Sequence, residues 1–248
     1  MARRASDILL MEREQLLDLE PTDFSKVALG AKEIIHIANV LGFFWQYDYE
    51  AADLGRVGNH ALLKSELHSD GFLAMKMLLE IENIRKLMAY QLALVFRNSV
   101  IPRPNRLVGV PDAATKLAED LASILGLATV SAKKAEGRIT ITDKIEDYEP
   151  LLPVEDICTK GTGFTEMAVA IHSANPTAEI IHHELVIVNR GGLKFISIGV
   201  CNFRINPVAE YPMLEWSKEK CPLCAKGSVA IKPKASEANW LDITTSQL

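Results

Sequence analysis

Apolar positions along this 248-residue chain switch between two rhythms. Helical spacing joins Val27, Ile34, Ile37, Ala38 and Leu41 on one face of a predicted helix over 27–44. The same spacing joins Ile81, Ile84, Leu87, Met88, Leu92 and Val95 over 80–96, and the Pro-rich step Ile101-Pro102-Arg103-Pro104-Asn105 ends that helix. Short apolar runs bounded by turn residues predict strands at 106–110, 127–131, 151–156, 179–188 and 193–201, with a β-like run at 138–142. Between them, Leu117, Leu121 and Ile124 mark one helix, and 165–174 continues another that opens at about Gly163. Strands alternating with helices predict an α/β fold with a parallel, doubly wound sheet. Residues 1–24 are charged and Leu-rich and are expected to form a helix without chemistry. The segment 59–73 is polar and turn-rich, a loop or hairpin. A short helix or loop carrying Trp216 is expected over 207–218, and a polar, mobile tail from Ala235.

Composition narrows the class. With 48% hydrophobic and 24% charged residues the chain can bury a full α/β core. A net charge of -5 argues against a general nucleic-acid binder. No apolar run approaches the roughly 18 residues of a membrane span. The start, MARRASDILLMEREQ, meets acidic residues too early for a secretory signal, so the cytoplasm is the expected compartment. Four cysteines at 158, 201, 221 and 224 show no disulfide framework. The CPLC at 221–224 is a single CxxC. Zinc needs about four ligands, Cys201 with a distant histidine completes it poorly, and a thioredoxin-like role is weaker still.

The candidate chemistry concentrates in 151–164, LLPVEDICTKGTGF. A buried strand would deliver two adjacent carboxylates, Glu155 and Asp156, into the loop Thr159-Lys160-Gly161-Thr162-Gly163 at the start of a helix. Backbone N–H groups of such a loop and a helix N-terminus favour an anion. Acid beside an anion site suits a ligand that carries hydroxyls or a metal beside its phosphate. An ordinary strand–turn–helix with a polar turn is the plain alternative. Lys133 and Lys134 stand between strands, where a solvated turn is the common reading. Arg190 follows the 179–188 strand, a position where ligands bind in open α/β sheets. His36 reads as a packed helix residue. His182 and His183 point to opposite faces of a strand and read as structural.

The acidic pair followed by Ile157-Cys158-Thr159-Lys160-Gly161-Thr162-Gly163 resembles the phosphoribosyl-pyrophosphate (PRPP) signature of type I phosphoribosyltransferases. Leu63-Lys64-Ser65 with His68-Ser69, the Gly109-Val110-Pro111-Asp112 turn, the lysine loop, Arg190 and the CPLC tail with Gly227 and Lys232-Pro233 are similar, in order, to orotate phosphoribosyltransferases. Glu66, Ala114, Lys160 and the Thr162-Gly163 order depart from that pattern.

The resemblance implies a central, mainly parallel sheet flanked by helices with a small N-terminal hood. It divides the chain into an N-terminal extension (1–26), a phosphoribosyltransferase domain (27–218) and a C-terminal tail (219–248). It implies transfer of phosphoribose from PRPP to orotate, giving orotidine 5′-monophosphate and pyrophosphate, by a homodimer that binds neither nucleic acid nor membrane. Mg2+, held mainly by substrate near Glu155 and Asp156, is the implied cofactor. By position, Glu155 and Asp156 would accept from the ribose hydroxyls, and Thr159 to Gly163 would cradle the 5′-phosphate. Pro111 and Asp112 would meet the pyrophosphate, as would Lys133 and Lys134, with Arg138 as a stand-in. Lys64 would contact pyrophosphate or pyrimidine, Phe72 would lie against the base, and Arg190 would recognise the pyrimidine. A phosphoribosyltransferase for another base, or a non-catalytic PRPP or nucleotide sensor on this fold, remains open.

Overall fold

The computed structural model describes residues 3–248; Met1 and Ala2, at the start of the expected N-terminal extension, lie outside the described residues. In chain order the elements begin with α1 (Arg13–Leu17), α2 (Ala31–Val40), β1 (Phe44–Gln46), α3 (Tyr49–Asp53), β2 (Asn59–Leu62), β3 (His68–Ser69) and β4 (Gly71–Leu73). Next come α4 (Met75–Glu80), α5 (Glu82–Asn98), β5 (Arg106–Gly109), α6 (Thr115–Leu125), β6 (Ala128–Val130), β7 (Ala132–Ala135) and β8 (Arg138–Ile141). The third stretch holds β9 (Pro150–Cys158), α7 (Thr162–Ala174), β10 (Glu179–Ile180), β11 (His183–Asn189), β12 (Phe195–Ile198) and β13 (Cys201–Glu210). Finally come β14 (Glu215–Trp216), α8 (Pro222–Ala225), β15 (Val229–Ile231) and α9 (Glu237–Thr245). No helix among the described residues is long and apolar enough to cross a membrane.

Two compact units share the chain: the first comprises the chain up to Ile37 with Met75–Pro212, the second Ala38–Ala74 with Met213–Leu248. The sheet of the first runs β12-β13-β11-β9-β5-β6, with β10 also on β9, and every pairing is parallel except β12 on β13. This is the expected mainly parallel α/β sheet, and its central strand β9 is buried along most of its length, as strands covered on both faces are. Helix α7 packs on it through Phe164, Met167, Ala168 and Ile171, the i, i+3, i+4, i+7 face. Full burial of each large apolar side chain contributes roughly 2–3 kcal/mol. At the opposite end of β9, Arg106 clasps Glu149 through two bonds of 2.7 and 2.5 Å, tying β5 to the start of β9.

Several segments differ from the sequence expectation. Instead of one long N-terminal helix there are three short helical segments, pinned by buried Ile8, by Leu16, and by Pro21 with Phe24. The second restarts at Glu12, whose N–H donates to the Gln15 side chain at 2.9 Å, and the third at Glu20-Pro21, because proline suits a first helical position but not a helix interior. The single strand expected at 193–201 is the hairpin β12–β13, which turns at Gly199 and Val200. β13 then runs on to Glu210 beside β11, where a helix or loop was expected from Pro207. Pro207 lies beyond the reach of β12, so its missing N–H breaks no antiparallel rung.

In the second unit, β14-β3-β2-β15 form one sheet and β1-β4 a second. The 59–73 segment is a hairpin, one of the two forms its turn-rich sequence allows. The tail after Ala235, expected to be mobile, forms helix α9. Ser236 caps α9 by accepting from the Asn239 N–H at 3.1 Å, and Ile243 is buried. Asp242 and Ser246 bind Asn59 at 3.0 and 2.8 Å. Polar composition concealed this helix because two apolar anchors, Trp240 and Ile243, and side-chain hydrogen bonds hold it.

Candidate active site

Parallel pairing sets the C-terminal ends of β5, β9 and β11 along one edge, with Gly109 opposite Val154 and Asn189 opposite Cys158. The loops leaving that edge carry Pro111 and Asp112, Thr159 to Gly163, and Arg190, so the topology gathers these candidates. Two close approaches weld the loops together. The Arg190 N–H donates to the Cys158 carbonyl at 2.8 Å, and a Cβ on Gly191 would lie 1.7 Å from the Thr159 carbonyl oxygen, so only glycine fits there. The turn after β5 is equally tight, since a Cβ on Gly109 would meet the Ala114 carbonyl oxygen at 2.2 Å. The peptide between Pro111 and Asp112 is cis. Ala114, which stands where the resembling family has glycine, is fully buried, so its methyl lines the core rather than the loop opening.

The phosphate-type loop opens α7 from a left-handed residue, Gly161 at φ 71°, where an added Cβ would also run into the Ile196 side chain at 2.5 Å. The order Thr162-Gly163 has its own reason: a Cβ on Gly163 would lie 2.0 Å from Glu155 Oε1, so glycine admits that carboxyl to the first turn of α7. Lys160 and Thr162 are exposed.

The two adjacent carboxylates have different surroundings. Asp156 is half-buried at the strand end. Glu155 is buried, which corrects the expectation that both stand open to ligand: successive side chains of a strand point to opposite faces. Its neighbours are Glu184 of β11 and Cys158, with ligand atoms of all three within 4.8 Å of one another. Burial and then the charge of Glu184 push the Glu155 carboxyl well above the usual range. Burial likewise pushes Glu184 up to about 7. Burial and both carboxylates raise the Cys158 thiol. The two carboxyls hydrogen-bond each other, which requires a proton on at least one of them: Glu155 keeps its proton, and Glu184 releases its own near 7. Sequence reading passed over Glu184; its signal was a lone acid inside the apolar run His183-Glu184-Leu185-Val186-Ile187-Val188.

The lysine segment is a β-hairpin, β7–β8, with Lys133 opposite Thr140 and Lys134 opposite Ile139. Ile139 is buried and Ile141 packs on the core containing α7, which makes this a seated hairpin rather than a solvated turn. Alternation again separates neighbours: Lys133 is exposed, whereas Lys134 is paired with Glu166 of α7. Arg138 is exposed on β8. Asp112 pairs with Lys76 at 3.3 Å on the surface. Arg190 is buried just past β11.

Lys64 and Phe72 belong to the second unit. Lys64 is exposed at the turn between β2 and β3. Glu66, at the family's glycine position, takes φ 60°, so the left-handed turn survives the substitution, and Lys232 pairs with its carboxylate at 2.8 Å. The ring of Phe72 meets Trp240 edge-on at 5.9 Å and lies 5.4 Å from Lys234 Nζ.

No family model matches the chain. Among curated proteins it is similar to the orotate phosphoribosyltransferase of a Thermoanaerobacter species, 26% identical over 178 residues that cover 70% of this chain and 87% of that one. The orotate phosphoribosyltransferase of a Nitratiruptor species is 29% identical over 186 residues, 70% of this chain and 90% of that one. Among solved structures, Leishmania donovani UMP synthase matches with a TM-score of 0.50 at 20% identity over 65% of this chain. The chain spans 36% of that protein, and the likeness speaks for the fold. The fold is that of the type I phosphoribosyltransferases, and the resemblance to orotate phosphoribosyltransferases extends over most of the chain.

Proposed function

We propose that this protein is an orotate phosphoribosyltransferase, a cytoplasmic homodimer that uses PRPP and Mg2+ to convert orotate to orotidine 5′-monophosphate and pyrophosphate. The observation that carries the reading is the β9–α7 turn. It sets the half-buried Asp156 ahead of a glycine-built loop at the N-terminus of a 13-residue helix. An anion at that helix end with hydroxyls beside a carboxylate is the pattern of a sugar phosphate.

Cleaving the bond from ribose to pyrophosphate leaves positive charge on the sugar and negative charge on the leaving group. Catalysis then rests on alignment and on charges already in place. Asp156 accepts from the ribose hydroxyls and puts negative charge near the cationic ring. Thr159, Lys160, Gly161, Thr162 and Gly163 hold the 5′-phosphate. Pro111 and Asp112 shape the pyrophosphate turn, and Lys133 supplies the cation for the leaving group, since Lys134 is already neutralised by Glu166. Glu155 is a positioning group, wedged against Gly163. Lys64, Phe72 and Arg190 keep the roles toward pyrophosphate and pyrimidine that the resemblance implies.

Magnesium fits this donor set through the accessible carboxylates Asp156 and Asp112 together with substrate oxygens, because it keeps several waters and few protein ligands. The buried Glu155–Cys158–Glu184 group suits it poorly. When bound, the ion would offset negative charge on the departing pyrophosphate.

The buried guanidinium of Arg190 favours one second reading, transfer to a base other than orotate, because a carboxylated pyrimidine calls for an accessible cation. The deciding experiment is PRPP- and magnesium-dependent loss of orotate absorbance, run beside calorimetric binding of PRPP alone and light scattering for the dimer. Turnover is the expected result. PRPP binding without orotate turnover, followed by turnover of another base, would establish the second reading.

A further inference from the structure

The C-terminal CPLC does not stand alone. The second unit folds His60 of β2 and His68 of β3 against Cys221 and Cys224, and ligand atoms from all four lie within 4.8 Å of one another. Cys221 Sγ is 3.5 Å and Cys224 Sγ 3.6 Å from His60 Nε2, and Cys224 Sγ is 3.3 Å from His68 Nδ1. Ligands of a tetrahedral zinc, at about 2.3 Å for sulfur and about 2.05 Å for nitrogen, stand about 3.5 Å apart from sulfur to nitrogen. The two imidazole nitrogens, 2.8 Å apart, need to open by only about half an ångström to take up the same geometry. We propose that His60, His68, Cys221 and Cys224 form a closed structural zinc site that joins the β2–β3 hairpin to the C-terminal segment.

Three further features fit. First, the outer contacts prepare the ligands. Ser228 Oγ donates its one proton to the Gly58 carbonyl at 2.9 Å, so toward His60 Nδ1, at 2.8 Å, it must accept. His60 therefore carries its proton on Nδ1, and the bare Nε2 faces the sulfurs. Second, the Cys224 N–H donates to Cys221 Sγ at 3.5 Å and the turn closes with Gly227 N–H on the Cys224 carbonyl at 3.0 Å, so the CxxC loop is already wrapped around one point. His60, His68 and Cys221 are buried, and four protein ligands leave no position for substrate, which marks a structural rather than a catalytic ion. Third, the unit needs a staple. At about 70 residues it falls in the range where a hydrophobic core alone rarely suffices, and its core is built around these ligands, from Trp45, Tyr47, Leu63, Leu223 and Ile243. Paired thiolates and imidazoles select zinc over the hard cations.

The test uses the untagged full-length chain produced in zinc-supplemented medium. Elemental analysis should give about one zinc per chain, and X-ray absorption should give two sulfur and two nitrogen neighbours. After chelation, the apo protein should melt at a lower temperature and regain its transition with added zinc. Cobalt in its place should show the thiolate charge-transfer band and intense d–d bands of a tetrahedral site. Cys221→Ser should abolish that band, whereas Cys201→Ser should retain it. Because Cys221→Ser could unfold the unit, competition of the apo wild type against a metallochromic chelator gives the affinity without a variant. Failure of the apo wild type to take up zinc in that competition, or a cobalt spectrum without sulfur ligation, would overturn the proposal.

Discussion

Among the described residues there are two tight groups of metal-type side chains, one in each unit, and only one of them is built as a metal site. In the first unit Glu155, Cys158 and Glu184 crowd together; in the second His60, His68, Cys221 and Cys224 do. Proximity is the same in both. What differs is donor chemistry and the surrounding shell. The first mixes hard carboxylates with a soft thiol, and its two buried carboxyls hydrogen-bond each other, which needs a proton between them. Buried acids in that state keep their protons. The second offers two nitrogens and two sulfurs, with Ser228 orienting one imidazole. A buried polar cluster is thus a proton store or a metal site according to which charge state its neighbours stabilise.

The sharpest way to break the contrast is to ask which acid the reaction uses. Asp156→Asn should lower kcat by roughly 10²- to 10³-fold, the scale seen when a preorganised transition-state contact is lost. Glu155→Gln keeps shape and the neutral state of the buried acid, and should cost less than about tenfold. Steady-state kinetics of both variants decide it. If Glu155→Gln falls as far as Asp156→Asn, the buried pair takes part in catalysis and is not a proton store.

The next effect is on stability. Burial holds Glu184 near 7 and Glu155 well above the usual range, so the folded chain retains protons that the unfolded chain releases near pH 4.3. Stability then falls as pH rises between the unfolded and folded values, with Glu184 alone accounting for at most about 4 kcal/mol. Denaturant melts at a series of pH values should show this decline between about pH 4.5 and 7. Glu184→Gln should flatten it, and an unchanged slope in that variant would place the protons elsewhere.

The sequence revealed these two clusters unequally. Period and punctuation were enough for the parallel sheet, for α5 and for the β9–α7 turn, because local sequence there agrees with what the fold requires. The second-unit cluster was hidden because its ligands are far apart in sequence: His60 and His68 sit in a polar hairpin while the CxxC comes more than 150 residues later. A register of β15 on β2, which no local pattern encodes, brings them together. The division of labour between Glu155 and Asp156 was nearer to hand, since strand alternation already sends neighbours to opposite faces. Reading them as one acidic motif masked it. Glu66 at φ 60° shows a motif residue lost while its backbone conformation is kept.

The smallest effect probes the shell that makes the second cluster different. Ser228 bonds both Gly58 and His60, and among the described residues its hydroxyl is the partner of His60 Nδ1. Ser228→Ala removes the acceptor that fixes the imidazole tautomer without touching a ligand atom, so zinc should still bind, with affinity about 10- to 100-fold lower by chelator competition. Ser228→Thr, which keeps the hydroxyl, should bind close to wild type. Loss of affinity in both variants would point to packing rather than proton placement, and no loss in either would show that the ring needs no such guide. Because Ser228 and Glu184 share no hydrogen-bond partner among the bonds described above, Ser228→Ala should leave the pH-dependent slope in place, and Glu184→Gln should leave zinc affinity unchanged. The two clusters then separate by experiment as they do by chemistry: one responds to protons, the other to metal.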